Sequence, residues 1–130
     1  MSLAARISLL ASRIGLEVKT KIDASHPGVA RAWVCFGYVN SQIVIRAAHN
    51  VASVTRTAAG RYRVSFASAM PDESYCWTAL ARSSTNTGTQ RIAVVRASTD
   101  QKTTGHVDIS CATTLSSFAD STEINLTVFR

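Results

Sequence analysis

The apolar rhythm of this chain changes once, near Pro27-Gly28. Before that point apolar residues recur every three or four positions, the period of a helix. After it they alternate in short runs, the period of strands. The two patterns cannot share one layer, so the chain is expected to be a helical stalk joined to a β domain. The boundaries that follow are a helix over 1–23, a linker over 24–30 and a β domain over 31–130.

In the helical part Leu3, Ile7, Leu10, Ile14, Val18 and Ile22 fall along one narrow stripe. Arg6, Ser8, Ser12, Arg13, Glu17, Lys19 and Lys21 lie between its members. Such a stripe is too thin for a core helix and suits a coiled-coil-like seam between helices. Leu3/Ile14 and Ile7/Val18 are each eleven residues apart, a spacing that supercoils weakly or right-handedly. A helix over 2–22 would be about 30 Å long and, by itself, marginal in water. It therefore needs copies of itself or a docking surface. With Ile7 and Ile14 at one seam position and Leu3 and Leu10 at the other, the rule for parallel coils favours two strands. Gly15 costs about 1 kcal/mol relative to Ala, and either lets copies approach closely or weakens the coil.

Other readings of the segment fit less well. A secretory signal needs an unbroken apolar region, which Arg13 interrupts. An interfacial amphipathic helix is compatible with Arg6, Arg13, Lys19 and Lys21 against Glu17. No apolar run approaches the length of a membrane span, so no membrane insertion is expected.

The residues after Pro27 read as short strands: Arg31–Phe36, Gln42–Ala47, Val51–Thr57, Arg61–Ser68, Tyr75–Ala81, Gln90–Ser98, Gly105–Cys111 and Glu123–Phe129. Tyr62, Val64 and Phe66 alternate with Arg61, Arg63 and Ser65, the signature of a sheet with one wet face. Ile124, Leu126 and Val128 repeat the device, as do Val107, Ile109 and Cys111. Turn signals separate the runs: Ala58-Ala59-Gly60, with Gly60 suited to positive φ, and Pro71-Asp72-Glu73. Ser83–Thr89 is the most loop-like stretch. About eight strands with no second helical pattern make a mainly β chain, an antiparallel sandwich or barrel behind one N-terminal helix. The chain ends at Arg130, just after a strand, so no regulatory tail is expected.

A β domain of roughly 100 residues buries a core without staples. The three cysteines, Cys35, Cys76 and Cys111, are odd in number and never in a C-x-x-C arrangement. Each sits in a strand-like run and reads as a buried or half-buried reduced thiol. A zinc site would need His26, His49 or His106 to converge on them, and no spacing supports that. Trp33 and Trp77 read as core residues. The net charge of +6 is uneven: +2 over 1–24, +6 over 25–99 and −2 over 100–130. The basic residues of the middle stretch are all arginine, namely Arg31, Arg46, Arg56, Arg61, Arg63, Arg82, Arg91 and Arg96. Arginine suits bidentate contacts to carboxylate or phosphate, and equally a solvated outer sheet face.

No motif carries enzymatic chemistry. The chain lacks G-x-S-x-G, a phosphate-cradling glycine loop and H-E-x-x-H. Asp72 and Glu73 are adjacent acids of a solvated turn rather than a catalytic pair. Asn125-Leu126-Thr127 matches a glycosylation sequon inside a strand and is read as coincidence. A non-enzyme without cofactor or metal is expected.

The segment Trp33-Val34, Phe36, Ile45-Arg46, Asn50-Val51-Ala52-Ser53-Val54-Thr55-Arg56, Gly60, Tyr62, Val64, Phe66, Ala69-Met70-Pro71-Asp72 and Tyr75 resembles a module of tail-fibre and other virion proteins of tailed bacteriophages. The closing Val128-Phe129-Arg130 is similar to the way such modules finish. The near repeat Leu3-Ala4-Ala5-Arg6-Ile7 and Leu10-Ala11-Ser12-Arg13-Ile14 resembles the short helical starts of phage fibres. The chain departs from the pattern at Cys35 and Gly37-Tyr38-Val39-Asn40, where the first turn is expected to differ. The resemblance implies a homotrimer, a virion location and no catalytic residue.

Together these readings describe a short homotrimeric tail fibre anchored by its helix to other virion proteins, with a capsid fibre or decoration protein as the near alternative. The expected seam is Leu3, Ile7, Leu10, Ile14, Val18 and Ile22. Ser84, Thr85, Asn86 and Thr87 are the expected contacts to a host surface glycan or protein, since loop tips on rigid scaffolds carry recognition. From another class, a single-stranded nucleic-acid-binding barrel is suggested by arginines interleaved with Tyr62, Phe66 and Trp77. Its weakness is that alternation puts the rings opposite the arginines.

Overall fold

The computed structural model describes residues 1–23, 26–84, 90–96, 99–115 and 117–130. Helix α1 (Leu3–Lys21) is capped by Ser2, whose side chain accepts from the Ala5 N–H at 3.2 Å. Lys19 and Lys21 lie in its last turn, where the helix dipole favours cations, and Lys21 also pairs with Glu17. The helix closes at Ile22, whose N–H still donates to the Val18 carbonyl. No residue of α1 is buried.

Eight strands follow among the described residues: β1 (Ala30–Val39), β2 (Gln42–His49), β3 (Val51–Ala58), β4 (Arg61–Phe66), β5 (Cys76–Arg82), β6 (Arg91–Val94), β7 (His106–Thr113) and β8 (Glu123–Phe129). They form two antiparallel four-stranded sheets, β2-β1-β8-β5 and β3-β4-β7-β6. The fold is a mainly β sandwich with one N-terminal helix.

Strand bounds differ from the sequence reading where side chains intervene. β6 was expected over Gln90–Ser98 and covers only Arg91–Val94. The Arg96 N–H donates to the Asp100 carboxylate at 2.8 Å rather than to a strand partner, and Ala97 and Ser98 lie outside the described residues. β1 runs on through Gly37-Tyr38-Val39 and reverses at Asn40 and Ser41, both at positive φ. Two such residues make the tight hairpin turn whose twist matches the strands.

The alternating triplets fill the core. Tyr62, Val64 and Phe66 of β4 and Val107, Ile109 and Cys111 of β7 are buried on the inner side of one sheet, facing Ala32, Val34 and Phe36 of β1 and Ile124, Leu126 and Val128 of β8 on the other. Phe36 meets Tyr62 edge to face across the two sheets, 5.3 Å between centroids, and Phe66 meets Tyr75 in the same manner. The helix enters at the end where β1 begins, which we call proximal; β8 finishes and β5 begins there too. The opposite, distal end carries the β1–β2 turn, the β3–β4 turn and the first residues of β6 and β8. β1 spans 10 residues, so the two ends are about 30 Å apart.

At the distal end the Asp120 carboxylate holds the approach to β8 against the other sheet. It accepts two bonds from Arg56, at 2.9 and 2.8 Å, one from the Gly60 N–H at 2.9 Å and one from the Tyr62 hydroxyl at 2.7 Å. Gly60 has φ +66, and a Cβ there would lie 2.6 Å from the Cys111 carbonyl oxygen, so the turn admits only glycine. Burial alone would raise the Asp120 pKa, but the bonds from Arg56, Tyr62 and Gly60 prevail and hold it at about 2. An unfolded aspartate titrates near ~3.9. The depressed folded value therefore adds stability that is complete above about pH 4 and disappears as the pH falls through about 2, roughly 2 kcal/mol in all. Asp100 and Asp108 are also lowered and act in the same sense. Asp120→Asn is expected to cost about 3 kcal/mol at pH 7. In urea unfolding at pH 7 and pH 3, the gap between wild type and variant should narrow at the lower pH.

Candidate functional site

The expected seam residues Leu3, Ile7, Leu10, Ile14, Val18 and Ile22 are 55–74% exposed. The first five lie within α1, and Ile22 is its C-cap. Nothing lies within 4 Å of a Cβ placed at Gly15. Sequence reasoning overlooked a second feature: Leu9 and Leu16, also exposed, lie on the side of the helix away from the stripe at about 100° per residue. Their seven-residue spacing was the available signal. The helix thus presents two apolar sides.

The distal end holds a cleft of about 400 Å³ lined by Val39, Arg46, Arg82, Ser83, Ser84, Thr122 and Glu123. Ser84 belongs to it, its N–H donating to the Thr122 hydroxyl at 2.8 Å. The other three residues expected to contact a receptor, Thr85, Asn86 and Thr87, lie outside the described residues. A β-bulge places Arg46: Cys35 pairs with Ala47 and Phe36 with Ile45, leaving residue 46 extra. Its guanidinium donates to the Thr122 carbonyl at 2.7 Å. That carbonyl sits directly over Gly37, where any Cβ would collide with it.

Arg82 and Glu123 are cross-strand neighbours and form an ion pair at 2.7 Å, with Asn125 also donating to Glu123. The Arg82 hydrogen bond keeps the Glu123 carboxyl below its usual range. Two guanidiniums, one carboxylate and three hydroxyl side chains make a polar cleft suited to hydroxyl-rich or anionic surface groups. Arg46, Arg82 and Glu123 were not singled out as a site, because only the bulge and the strand register bring them together.

The remaining arginines are largely engaged within the chain. Arg63 makes a two-pronged pair with Asp108 at 2.7 and 2.9 Å, and Arg56 does so with Asp120. Arg96 pairs with Asp100, and Arg61 lies over the Phe118 ring at 4.4 Å. All three carboxylates come from the acidic stretch 100–130, so the uneven charge of the sequence is reconciled in the fold.

Two expectations need correction. Cys111 is buried and Cys35 half-buried, but Cys76 is exposed because it opens β5 on the outer face. Trp33, read as core, faces outward at 38% exposure, one position out of phase with Ala32 and Val34; Trp77 packs against the core. Burial raises the Cys111 thiol pKa to about 11, which keeps it unreactive. Among the described residues no group of three or more His, Cys, Asp or Glu could hold a metal ion. No helix among them is long and apolar enough to cross a membrane.

No family model, curated protein or solved structure matches the chain. The Gly37→Ala variant should lose about 2 kcal/mol or more, because the added methyl displaces the Thr122 carbonyl from a packed strand pair. A fall in melting temperature with retained strand content by circular dichroism is the expected reading.

Proposed function

We propose that this chain is a structural protein of a tailed-bacteriophage virion, a short homotrimeric tail fibre whose helix anchors it and whose distal end meets the host surface. The observation that carries the reading is the helix. It is 19 residues long with none buried, and its apolar stripe is uncovered in the single chain. Such a helix is marginal alone and gains its stability from association. Three copies would bury the stripe in a common seam. Leu9 and Leu16, on the other side, would remain for docking onto another virion protein. The β domain then projects outward, with the Arg46–Arg82–Glu123 cleft, Ser84 included, at the far end from the anchor.

The engaged arginines weigh against a nucleic-acid barrel. Arg56, Arg63 and Arg96 already meet carboxylates, leaving fewer free cations to neutralise phosphates.

The solution mass of the full chain, beside a version starting at Ala24, tests the assembly. A trimer for the full chain and a monomer for the shortened one is the expected outcome. Ile7→Asp combined with Ile14→Asp should abolish the trimer while leaving the β signature of the circular dichroism spectrum intact. A double variant of unchanged mass would remove the seam. Replacing Ser84–Thr87 with a Gly-Ser loop should reduce adsorption of particles to host cells without altering assembly, and unchanged adsorption would remove the recognition role of that loop.

A further inference from the structure

The two outer faces of the sandwich differ in character. On β3-β4-β7-β6 the outward positions include Arg61, Arg63, Asp108, His106, Ser65 and Thr55. On β2-β1-β8-β5 the two central outward rows are His49–Trp33–Thr127–Thr78 and Ala47–Cys35–Asn125–Leu80. Neither row contains an Asp, Glu, Lys or Arg. Leu80 is 76% exposed, and the proximal edge continues with Phe129 and Cys76. At the distal edge Arg82 pairs with Glu123, and the Arg46 guanidinium is turned onto the Thr122 carbonyl.

We propose that this outer face of the β2-β1-β8-β5 sheet, centred on Trp33, Cys35 and Leu80, is a second contact between copies of this chain, packed when the helices associate; it rests on the assembly proposed above. Charge favours a copy as the occupant. A chain of net charge +6 repels itself, and the two central rows of this face carry no charge, so two copies meet at its centre without like-charge contact. Area favours the same choice. The sheet face offers about 400 Å² and the helix stripe about 300 Å², whereas a stable interface takes about 800 Å² per partner. Neither surface suffices alone, and together they approach the requirement.

The linker makes the two contacts cooperative. Residues 22–29 reach at most about 28 Å, so helices gathered in one seam hold the β domains close together. The second contact then forms at high effective concentration. Only a copy of this chain brings the helix and the sheet face together in this way.

Cys76 reports on the proposal. It lies on this face and is exposed in the single chain. The rate of its alkylation by iodoacetamide, read by peptide mass spectrometry, is compared in the full chain and in the Ile7→Asp/Ile14→Asp variant, with light scattering alongside. Labelling at least tenfold slower in the assembled full chain supports the proposal. Leu80→Lys should then restore fast labelling and weaken association more than tenfold, while the melting temperature of the chain starting at Ala24 stays unchanged. An assembled full chain whose Cys76 labels as fast as in the double variant overturns the sheet contact and leaves the helical assembly standing. Slow labelling that persists in a monomeric double variant also overturns it, since the cover is then the chain's own helix. A monomeric full chain overturns both proposals.

Discussion

The Asp120 carboxylate is the point on which the distal half of this sandwich depends. It gathers donors from β3, the β3–β4 turn and β4, although it belongs to the segment leading into β8. By doing so it ties one sheet to the other. The carbonyls of Ser121 and Thr122, next in the chain, then receive the Tyr38 N–H and the Arg46 guanidinium of the second sheet. A half-buried carboxylate is costly unless its lone pairs are filled, and four donors meet that need. Burial raises the Tyr62 phenol as well, so it stays protonated and continues to donate.

The same logic distributes the charge of the whole molecule. Arginines that look in sequence like a basic patch are drawn to aspartates 45 to 64 residues away, and planar guanidinium geometry makes those pairs two-pronged. One outer face is consequently polar, with Arg63 and Asp108 paired on it. The other has uncharged central rows, with Trp33 and Leu80 in the open. A monomeric β sandwich ordinarily keeps its outer faces wet, and this asymmetry complements the unburied helix. Both features leave apolar side chains exposed in the single chain.

The architecture separates its features by end. The unburied helix precedes β1 at the proximal side. The distal side gathers the tight Asn40-Ser41 turn, the Asp120 hub and the polar cleft. A bulge in β2 and a glycine opposite Thr122 shape that cleft, so the sheet fixes the part of it formed by Arg46, Arg82 and Glu123.

Much of this was legible in the residues themselves. Side-chain period sets helix or strand directly, so α1, the number of strands and the inward triplets of β4, β7 and β8 could be read from spacing. β8 runs from Glu123 to Phe129 as expected. Strand partners could not be read that way, because alternation reveals which residues share a face and is silent on which strand lies alongside. Trp33 and Cys76 were misplaced for a related reason: apolar identity argues for burial, while phase along the strand decides it. The cleft, the Asp120 hub and the outer face with its uncharged central rows arise from pairings between residues far apart in sequence. Sequence alone determined the elements and their inner faces through local period; only the tertiary structure decided which distant charges met and which surfaces were left uncovered, because those depend on register.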